Sequence, residues 1–167
     1  GAILSYQTAI MLNPYDASLY IQLANIFNTD RAFLDAIKTC KKGLTQYPNN
    51  AQLLKLQSYA YYLNRDFDSS IIGFDKLLQL GDSSYFNLKY QGLALFEKKE
   101  FERAANNLLL AKEYNDEDAE TFFYLGSALG RSSNGDDGFN YLNKSKNLLE
   151  PSPVELANIF SEMAYIL

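Results

Sequence analysis

Residues 84–116, SYFNLKYQGLALFEKKEFERAANNLLLAKEYND, decide the fold of this chain. Leu88, Gly92 and Leu95 lie four and three positions apart, which is the spacing of one face of an α-helix. Polar residues at 98–100 interrupt this apolar stripe, and a second stripe begins at Phe101. The stretch therefore predicts two amphipathic helices joined by a tight turn.

Small residues lie on both apolar stripes, at Gly92 on the first and at Ala104 and Ala111 on the second. Large side chains are usual at such positions. The distance between two packed helices depends on the side chains at their contact, and small ones allow the backbones to approach closely. We therefore expect a tightly packed helical hairpin that crosses at these three residues.

The same unit recurs along the chain at a fixed spacing. The match includes small residues at the crossing, large apolar residues in the same register and a phenylalanine at the start of the second helix. Agreement at this many positions indicates a structural repeat. The residues that match Gly92 are Ala24, Ser58 and Gly126, those that match Ala104 are Ala2, Ala36, Ser70 and Gly138, and the recurring phenylalanines are Phe33, Phe67 and Phe101.

A helix–turn–helix period of about 34 residues with this pattern of small and large residues resembles the tetratricopeptide repeat (TPR) family. The first complete copy reads Tyr20-x2-Leu23-Ala24-x2-Phe27. Departures from the family pattern include Gln57, at a position where leucine is usual. The resemblance implies an all-α fold, a right-handed superhelical solenoid of antiparallel helical hairpins.

The repeat also predicts how the chain is divided. We expect a single solenoid domain over residues 1–167, cut from a longer chain, because the sequence starts in mid-repeat and the helix expected at 153–167 is apolar on much of its surface. The full repeats are predicted at about 17–50, 51–84, 85–118 and 119–153, and half repeats at 2–16 and 154–167.

Polar residues before the predicted helices are candidate N-caps. Asp16, Asn50 and Asp116 precede first helices of the repeats, and their side-chain oxygens are suited to accept from the free amides of a first turn. The segment Ser152-Pro153-Val154-Glu155 has the pattern of a capping box with proline at the first helical position. It predicts the start of the last helix.

Composition excludes several functions. The net charge of −5 argues against nucleic acid or an anionic membrane as the main partner, and no apolar run approaches the length of a membrane span. The sequence contains no histidine and only one cysteine, Cys40, which lies at a buried repeat position and is interpreted as a small apolar filler. We therefore expect no catalysis, no cofactor and no metal in this segment. The compartment is left open.

The segment at 130–138 has the glycine spacing of a phosphate loop, at Gly130 and Gly135. Asp136 and Asp137 stand where such a loop needs Lys followed by Ser or Thr, and these carboxylates would repel phosphate. A calcium loop is also excluded, because the closing glutamate is missing. The segment is predicted to be a solvated turn before an acidic helix start.

The resemblance further implies that the first helices of the repeats line a concave face, where family members commonly bind peptides or proteins. Aromatic side chains at these positions would supply contact area, and Lys55, Lys89 and Arg131 would hold carboxylates. The carboxylate clamp of one TPR subgroup is absent, because Tyr59 and Tyr90 stand where it has asparagine. The predicted peptide-binding residues are Lys55, Tyr59, Tyr62, Phe86, Lys89, Tyr90, Leu93, Phe96, Phe123, Tyr124 and Arg131.

The sequence thus favours a protein–protein interaction scaffold that binds a peptide or protein segment in an aromatic-lined concave groove. One alternative is a regulatory or substrate-recruiting arm of a multidomain enzyme whose catalytic part lies outside this segment. A second, helical-repeat RNA recognition, is disfavoured by the acidic charge. A third is self-association through the uncapped terminal helices, motivated by the apolar helix at 153–167.

Overall fold

A computed structural model of the 167-residue chain describes residues 1–132, 134–149 and 152–167. These residues form ten α-helices and no strand, so the prediction of an all-α fold is confirmed. The helices are α1 (Ala2–Leu12), α2 (Ala17–Thr29), α3 (Phe33–Gln46), α4 (Ala51–Leu63), α5 (Phe67–Gln79), α6 (Tyr85–Glu97), α7 (Phe101–Lys112), α8 (Ala119–Arg131), α9 (Gly135–Leu148) and α10 (Pro153–Ile166).

The helices pair as the repeat predicts. In each of the pairs α2–α3, α4–α5, α6–α7 and α8–α9, consecutive helices pack against each other as a hairpin. The helix α1 corresponds to the second helix of a repeat, and α10 corresponds to the first helix of a repeat. The stretch at 84–116 forms the hairpin α6–α7.

The chain divides into two compact units, Gly1–Ser83 and Ser84–Leu167. The first unit contains α1 to α5 and the second contains α6 to α10. The division falls at the predicted boundary between the second and third full repeats. A single domain over the whole chain stays a prediction.

The small residues lie at the helix crossings, as predicted. A Cβ atom built on Gly92 would lie 2.7 Å from Leu108 Cγ and 3.4 Å from the carbonyl oxygen of Ala104. The approach is closer in α8–α9, where a Cβ on Gly126 would lie 2.7 Å from the carbonyl oxygen of Gly138. Glycine at these positions is therefore required by the proximity of the partner helix.

Two of the three predicted N-caps are confirmed. Asp16 Oδ1 accepts from the amide of Ser18, and Asn50 Oδ1 accepts from the amide of Leu53, each over 2.9 Å. The prediction for Asp116 is wrong, because the helix α8 begins only at Ala119 and is capped by Asp118.

A local turn precedes α8, which begins at the predicted start of the fourth repeat. Asn115 Oδ1 accepts from the amide of Glu117 over 3.1 Å, so Asp116 lies within this side-chain turn and not at the helix start. The helix α10 begins at Pro153 as predicted, although the side chain of Ser152 makes no capping hydrogen bond. Before α9, Ser132 lies in a turn, and the helix begins at Gly135 with Asp136 and Asp137 in its first turn, which is the predicted acidic start. Ser133 lies outside the described residues.

The first helices of three repeats end in the same turn. Arg31, Arg65 and Lys99 have φ of 60°, 62° and 63°, in the left-handed region. In the first of these turns the amide of Arg31 donates to Asn28 O over 3.2 Å and the next amide, of Ala32, donates to Phe27 O over 2.8 Å. This is the Schellman pattern of helix ends, and here a basic residue takes the place where glycine is usual.

Cys40 belongs to the core of the first unit, where it packs with Tyr20, Ala24 and Leu53. Its side chain is fully buried, and burial raises the pKa of the thiol to about 12. The thiolate is therefore scarce at neutral pH, which agrees with its interpretation as an apolar filler.

Candidate functional site

The predicted binding residues lie on three first helices. In the first unit, Lys55, Tyr59 and Tyr62 lie on α4, which packs against α2. In the second unit the helix α8 packs against α6 and α10. The predicted residues there are Phe86, Lys89, Tyr90, Leu93 and Phe96 on α6 and Phe123, Tyr124 and Arg131 on α8.

On α4 the aromatic residues form a short row. The rings of Tyr59 and Tyr62 stack with centroids 6.4 Å apart and planes 14° apart, and Tyr62 also contacts the ring of Phe67 at 5.9 Å. Both tyrosines and Lys55 are partly exposed. The first unit therefore presents two flat rings and a cation on one helix.

The second unit brings most of its predicted aromatic residues together. Phe86 and Tyr90 are 4.5 Å apart between ring centroids. Tyr124 contacts Phe96 at 5.1 Å and Phe123 at 5.3 Å, both edge-to-face. All five side chains remain partly exposed, so they supply rigid apolar contact area that still faces solvent.

Leu93 does not belong to this surface. Its side chain is only 1% exposed and lies in the hydrophobic core. Leu93 follows the groove spacing of the repeat, but spacing gives only the face of a helix and not how far neighbouring side chains cover it. A ligand at the surface cannot reach Leu93, and we remove it from the candidate site.

Lys89 is buried and already paired. It is 8% exposed, and its ammonium donates to Asp118 Oδ2 over 2.6 Å and lies 2.7 Å from Glu120 Oε2. Burial alone would lower the pKa of this ammonium, but the hydrogen bonds to Asp118 and Glu120 outweigh it and raise the pKa above its ordinary value. Lys89 joins α6 to α8, and its charge is neutralised within the protein.

Asp118 is the centre of this polar cluster. Its Oδ2 accepts from Tyr85, Lys89 and Thr121, the last over 2.8 Å, while Oδ1 accepts from the amide of Glu120 at the start of α8. Burial would raise the pKa of the carboxyl, but these donors hold the pKa below its ordinary value. One carboxylate thus caps α8 and links it to α6.

Arg131 is also engaged within the second unit. Its guanidinium forms a two-pronged ion pair with Glu162 of α10, with Nη2 3.0 Å from Oε1. The guanidinium carbon lies 4.8 Å from the centroid of Tyr165 and 5.6 Å from that of Phe96. The hydrogen bond to Glu162 raises the pKa of Arg131. Arg131 therefore fastens α10 to α8 and is not available to hold a carboxylate of a ligand.

A cavity of about 380 Å³ opens beside Phe123 and Tyr124, between α8, the end of α9 and α10. Its apolar wall includes Ile159, and its polar groups include the carboxylates of Glu120 and Glu155. Acceptors therefore dominate the polar chemistry of this opening. Its described lining is Ala119, Glu120, Phe123, Tyr124, Ser145, Leu149, Glu155, Asn158 and Ile159.

The sequence interpretation missed the residues that pair with the two cations. Neither Asp118 nor Glu162 is among the residues that the sequence singled out for binding. The available signal was the repeat itself, since Asp118 matches the capping position held by Asn50 and Asp16, two and three repeats earlier. Glu162 is one of only two acidic residues on α10.

Within the described ranges, no group of three or more His, Cys, Asp or Glu residues is placed to hold a metal ion. A search of the same ranges finds no helix with the length and apolar character needed to cross a bilayer.

Comparison with known proteins identifies the architecture. No family model and no curated protein sequence matches the chain. Among solved structures it is similar to YrrB, a TPR protein with an unusual peptide-binding site, with a TM-score of 0.82 and 21% identity over 96% of this chain and 82% of YrrB. It is also similar to MamA, with a TM-score of 0.81 and 16% identity over 92% of this chain and 88% of MamA.

A MamA structure from Desulfovibrio magneticus RS-1 gives a TM-score of 0.80 at 12% identity, over 87% of this chain and 82% of that one. At these identities the likeness establishes the fold and nothing finer. It agrees with the helical repeat of the sequence and with the paired helices of the structure. The chain therefore adopts the tetratricopeptide repeat fold.

Proposed function

We propose that this protein is a non-catalytic interaction scaffold that binds a peptide or protein segment on its first helices, the face that is concave in the solenoid. The observation that carries the proposal is the set of partly exposed aromatic side chains on those helices. They are Tyr59, Tyr62, Phe86, Tyr90, Phe96, Phe123 and Tyr124.

Aromatic rings suit this role for two physical reasons. They bury a large area at little cost in conformational entropy, and residues of this kind supply much of the binding energy at protein interfaces. Edge-to-face contacts such as Phe96–Tyr124 hold the rings in fixed positions before a ligand arrives. The peptide-binding site described for YrrB, which has a similar fold, supports the same kind of ligand.

The charges of the second unit indicate which chemical groups of a ligand would fit there. Lys89 and Arg131 are paired internally, so the charged groups that line the opening beside Phe123 and Tyr124 are two carboxylates. They are Glu155 and Glu120, and Glu120 pairs with Lys89 but keeps half of its side chain exposed. Carboxylates accept hydrogen bonds and attract cations. The second unit therefore favours a ligand that places an amide or a cationic side chain here, rather than the carboxylate expected from the sequence.

Selection from a random peptide display library, followed by fluorescence anisotropy with the selected peptide, tests this function. Replacing two interface tyrosines by Tyr59→Ala with Tyr90→Ala should weaken binding at least tenfold, since the loss of aromatic anchors commonly has an effect of this size on affinity. The matched control is Tyr15→Ala with Tyr114→Ala, which removes two rings that are 72% and 63% exposed outside the first helices.

The control should bind like the wild type, and circular dichroism should report the same helix content for all three proteins. Equal affinity of the wild type and the Tyr59→Ala, Tyr90→Ala variant for the selected peptide would overturn the assignment of the first-helix face.

A further inference from the structure

A second opening lies on the other side of the helical layer in the first unit. It has a volume of about 490 Å³ and runs between the second helices α3 and α5, with α4 as its floor. We call it the second-helix groove. Leu54 and Tyr61 form part of its floor, Leu44 and Ile72 part of its walls, and Lys41 and Lys76 lie at its edge.

The groove is open because of a glycine. In α9 of the second unit, the position that matches Gly73 is held by Tyr141, whose ring stacks on Phe122 with centroids 5.9 Å apart and planes 13° apart. Lys144 also lies over Phe122, with its ammonium 4.1 Å from the ring centroid. In α8–α9 the ring of Tyr141 thus lies over Phe122, whereas in α4–α5 Gly73 has no ring to place over Leu54, which matches Phe122. Ser58 Oγ occupies only the position that a Cβ of Gly73 would take.

A second departure from the repeat makes the groove apolar. Ile72 is 69% exposed, and the matching residues of α3, α7 and α9 are polar: Lys38, Asn106 and Asn140. In α1 the matching residue is Leu4, which is also apolar and exposed. A β-branched apolar side chain held in water, where three of the other four second helices have polar residues, has no role in the core. It instead gives the groove an apolar wall that a ligand can cover.

The charge of the groove is opposite to that of the chain. The protein carries a net charge of −5, yet in the first unit, all of which is described, the groove is lined by two lysines and no carboxylate. The ammonium of Lys76 donates to the carbonyl oxygen of Pro48 over 2.7 Å, which positions it at the groove. An ammonium has three donors, so two more hydrogen bonds are available to a ligand.

We propose that the second-helix groove is a second binding site, specific for a short peptide segment in which an apolar side chain is flanked by carboxylates. The apolar side chain lies between Leu44 and Ile72, over Leu54 and beside Gly73. The carboxylates pair with Lys41 and Lys76. This site shares α4 with the aromatic face but is lined by other residues of that helix, and it does not depend on the function proposed for that face.

The probes are three N-acetylated peptide amides with the same leucine-containing frame, in which the residues on both sides of leucine are aspartate, asparagine or lysine. Each is titrated into isotopically labelled protein and followed by two-dimensional NMR of amides and methyl groups. The aspartate peptide should shift the resonances of Ile72, Leu44 and Gly73. The asparagine and lysine peptides should bind at least about fivefold more weakly, as expected for the loss of two exposed ion pairs.

Two variants test the chemistry of the site. Lys41→Glu with Lys76→Glu should weaken binding of the aspartate peptide about tenfold, whereas Lys38→Glu with Lys42→Glu makes the same charge change elsewhere on α3 and should have a much smaller effect. Ile72→Asn installs the residue of the matching position in α7 and α9 at an exposed site, so it should keep the fold and weaken binding severalfold.

A third variant closes the groove. Ser58→Gly with Gly73→Tyr reproduces the residues of α8–α9 and should abolish the shifts at Leu44 and Ile72. The proposal is overturned if the three peptides shift the same resonances with equal affinity, if the shifts lie outside α3–α5, or if Lys41→Glu with Lys76→Glu binds the aspartate peptide like the control pair. The variant Tyr59→Ala with Tyr90→Ala should bind this peptide normally, which separates the two sites.

Discussion

The hairpins α4–α5 and α8–α9 are copies of one repeat, but they place their small residues differently. In α8–α9, Gly126 faces Gly138, and a Cβ on either one would lie within 2.8 Å of the carbonyl oxygen of the other. In α4–α5 both matching positions are serines, Ser58 and Ser70, and the glycine is Gly73 on the second helix, where a Cβ would overlap Ser58 Oγ. The repeat therefore requires space at the crossing but not a particular residue to provide it.

The two units also use one lysine position differently. Lys55 and Lys89 occupy the same position in consecutive repeats. Lys89 meets Asp118 and Glu120, which belong to the start of the next first helix. The residues that match those two carboxylates one repeat earlier are Ser84 and Phe86, which carry no charge. Whether a lysine at this position of the repeat meets such a pair of carboxylates thus depends on the residues at the start of the next first helix.

The largest effect is expected from Gly126→Ala. The added methyl group would lie 2.7 Å from the carbonyl oxygen of Gly138 and 2.9 Å from the amide nitrogen of Leu142, and backbone atoms cannot move aside without shifting α9. We expect a loss of about 3 kcal/mol in the free energy of unfolding, at the upper end for overpacking. Urea denaturation measures it. An unchanged unfolding midpoint would contradict the close approach of α8 and α9.

The next largest effect is expected from Lys89→Met, which leaves the carboxylate of Asp118 partly buried without its cation. Asp118 keeps 18% of its side chain exposed, so we expect a loss of about 2 kcal/mol, below the value for a fully buried pair. Lys42→Met, at an exposed lysine of α3, is the control and should change stability by less than about 0.5 kcal/mol. An equal loss for both variants in thermal or urea unfolding would contradict a structural role of the pair between Lys89 and Asp118.

The stability that the cluster of Lys89 and Asp118 contributes should depend on pH, because Asp118 is titratable. Its pKa in the folded protein is lower than the unfolded value of about 3.9, so its ionised form stabilises the fold above that pH. The contribution is lost as the pH falls from about 4 through the lower folded pKa. The stability difference between wild type and Asp118→Asn should therefore be full at pH 7 and shrink below pH 4. A difference that stays constant down to pH 2 would argue against this account.

The smallest effect concerns the crossing of α4–α5. Gly73→Ala alone should destabilise, because the methyl group overlaps the hydroxyl of Ser58. Adding Ser58→Gly moves the glycine to the helix that carries it in α6–α7 and α8–α9, and should recover about 1 kcal/mol beyond the sum of the single changes. A double-mutant cycle by urea unfolding gives this coupling. Strict additivity would mean that Ser58 and Gly73 do not share the crossing.

The helices could be predicted from the sequence because the residues that mark each helix boundary recur in several copies of the repeat. The hairpin crossing at Gly92 and the caps at Asp16 and Asn50 followed from spacing and local chemistry alone. The candidate site was predicted less well, since exposure and pairing depend on neighbouring helices. Leu93 has the correct helical phase but is covered by neighbouring side chains, and Arg131 meets Glu162, which lies on α10, 31 residues later in the chain.

The turns at Arg31, Arg65 and Lys99 place a potential trypsin cleavage site at the same point of three repeats. All three side chains are exposed, and each follows the end of a first helix at the same point of the repeat. Trypsin cleaves after Lys and Arg, and early cleavage selects the turns that open most readily. Cuts at all three turns release three pieces that each contain a second helix and the first helix that follows it, and a C-terminal piece that contains α7 to α10. The order in which the pieces appear during brief digestion would rank the local stability of the turns along the chain.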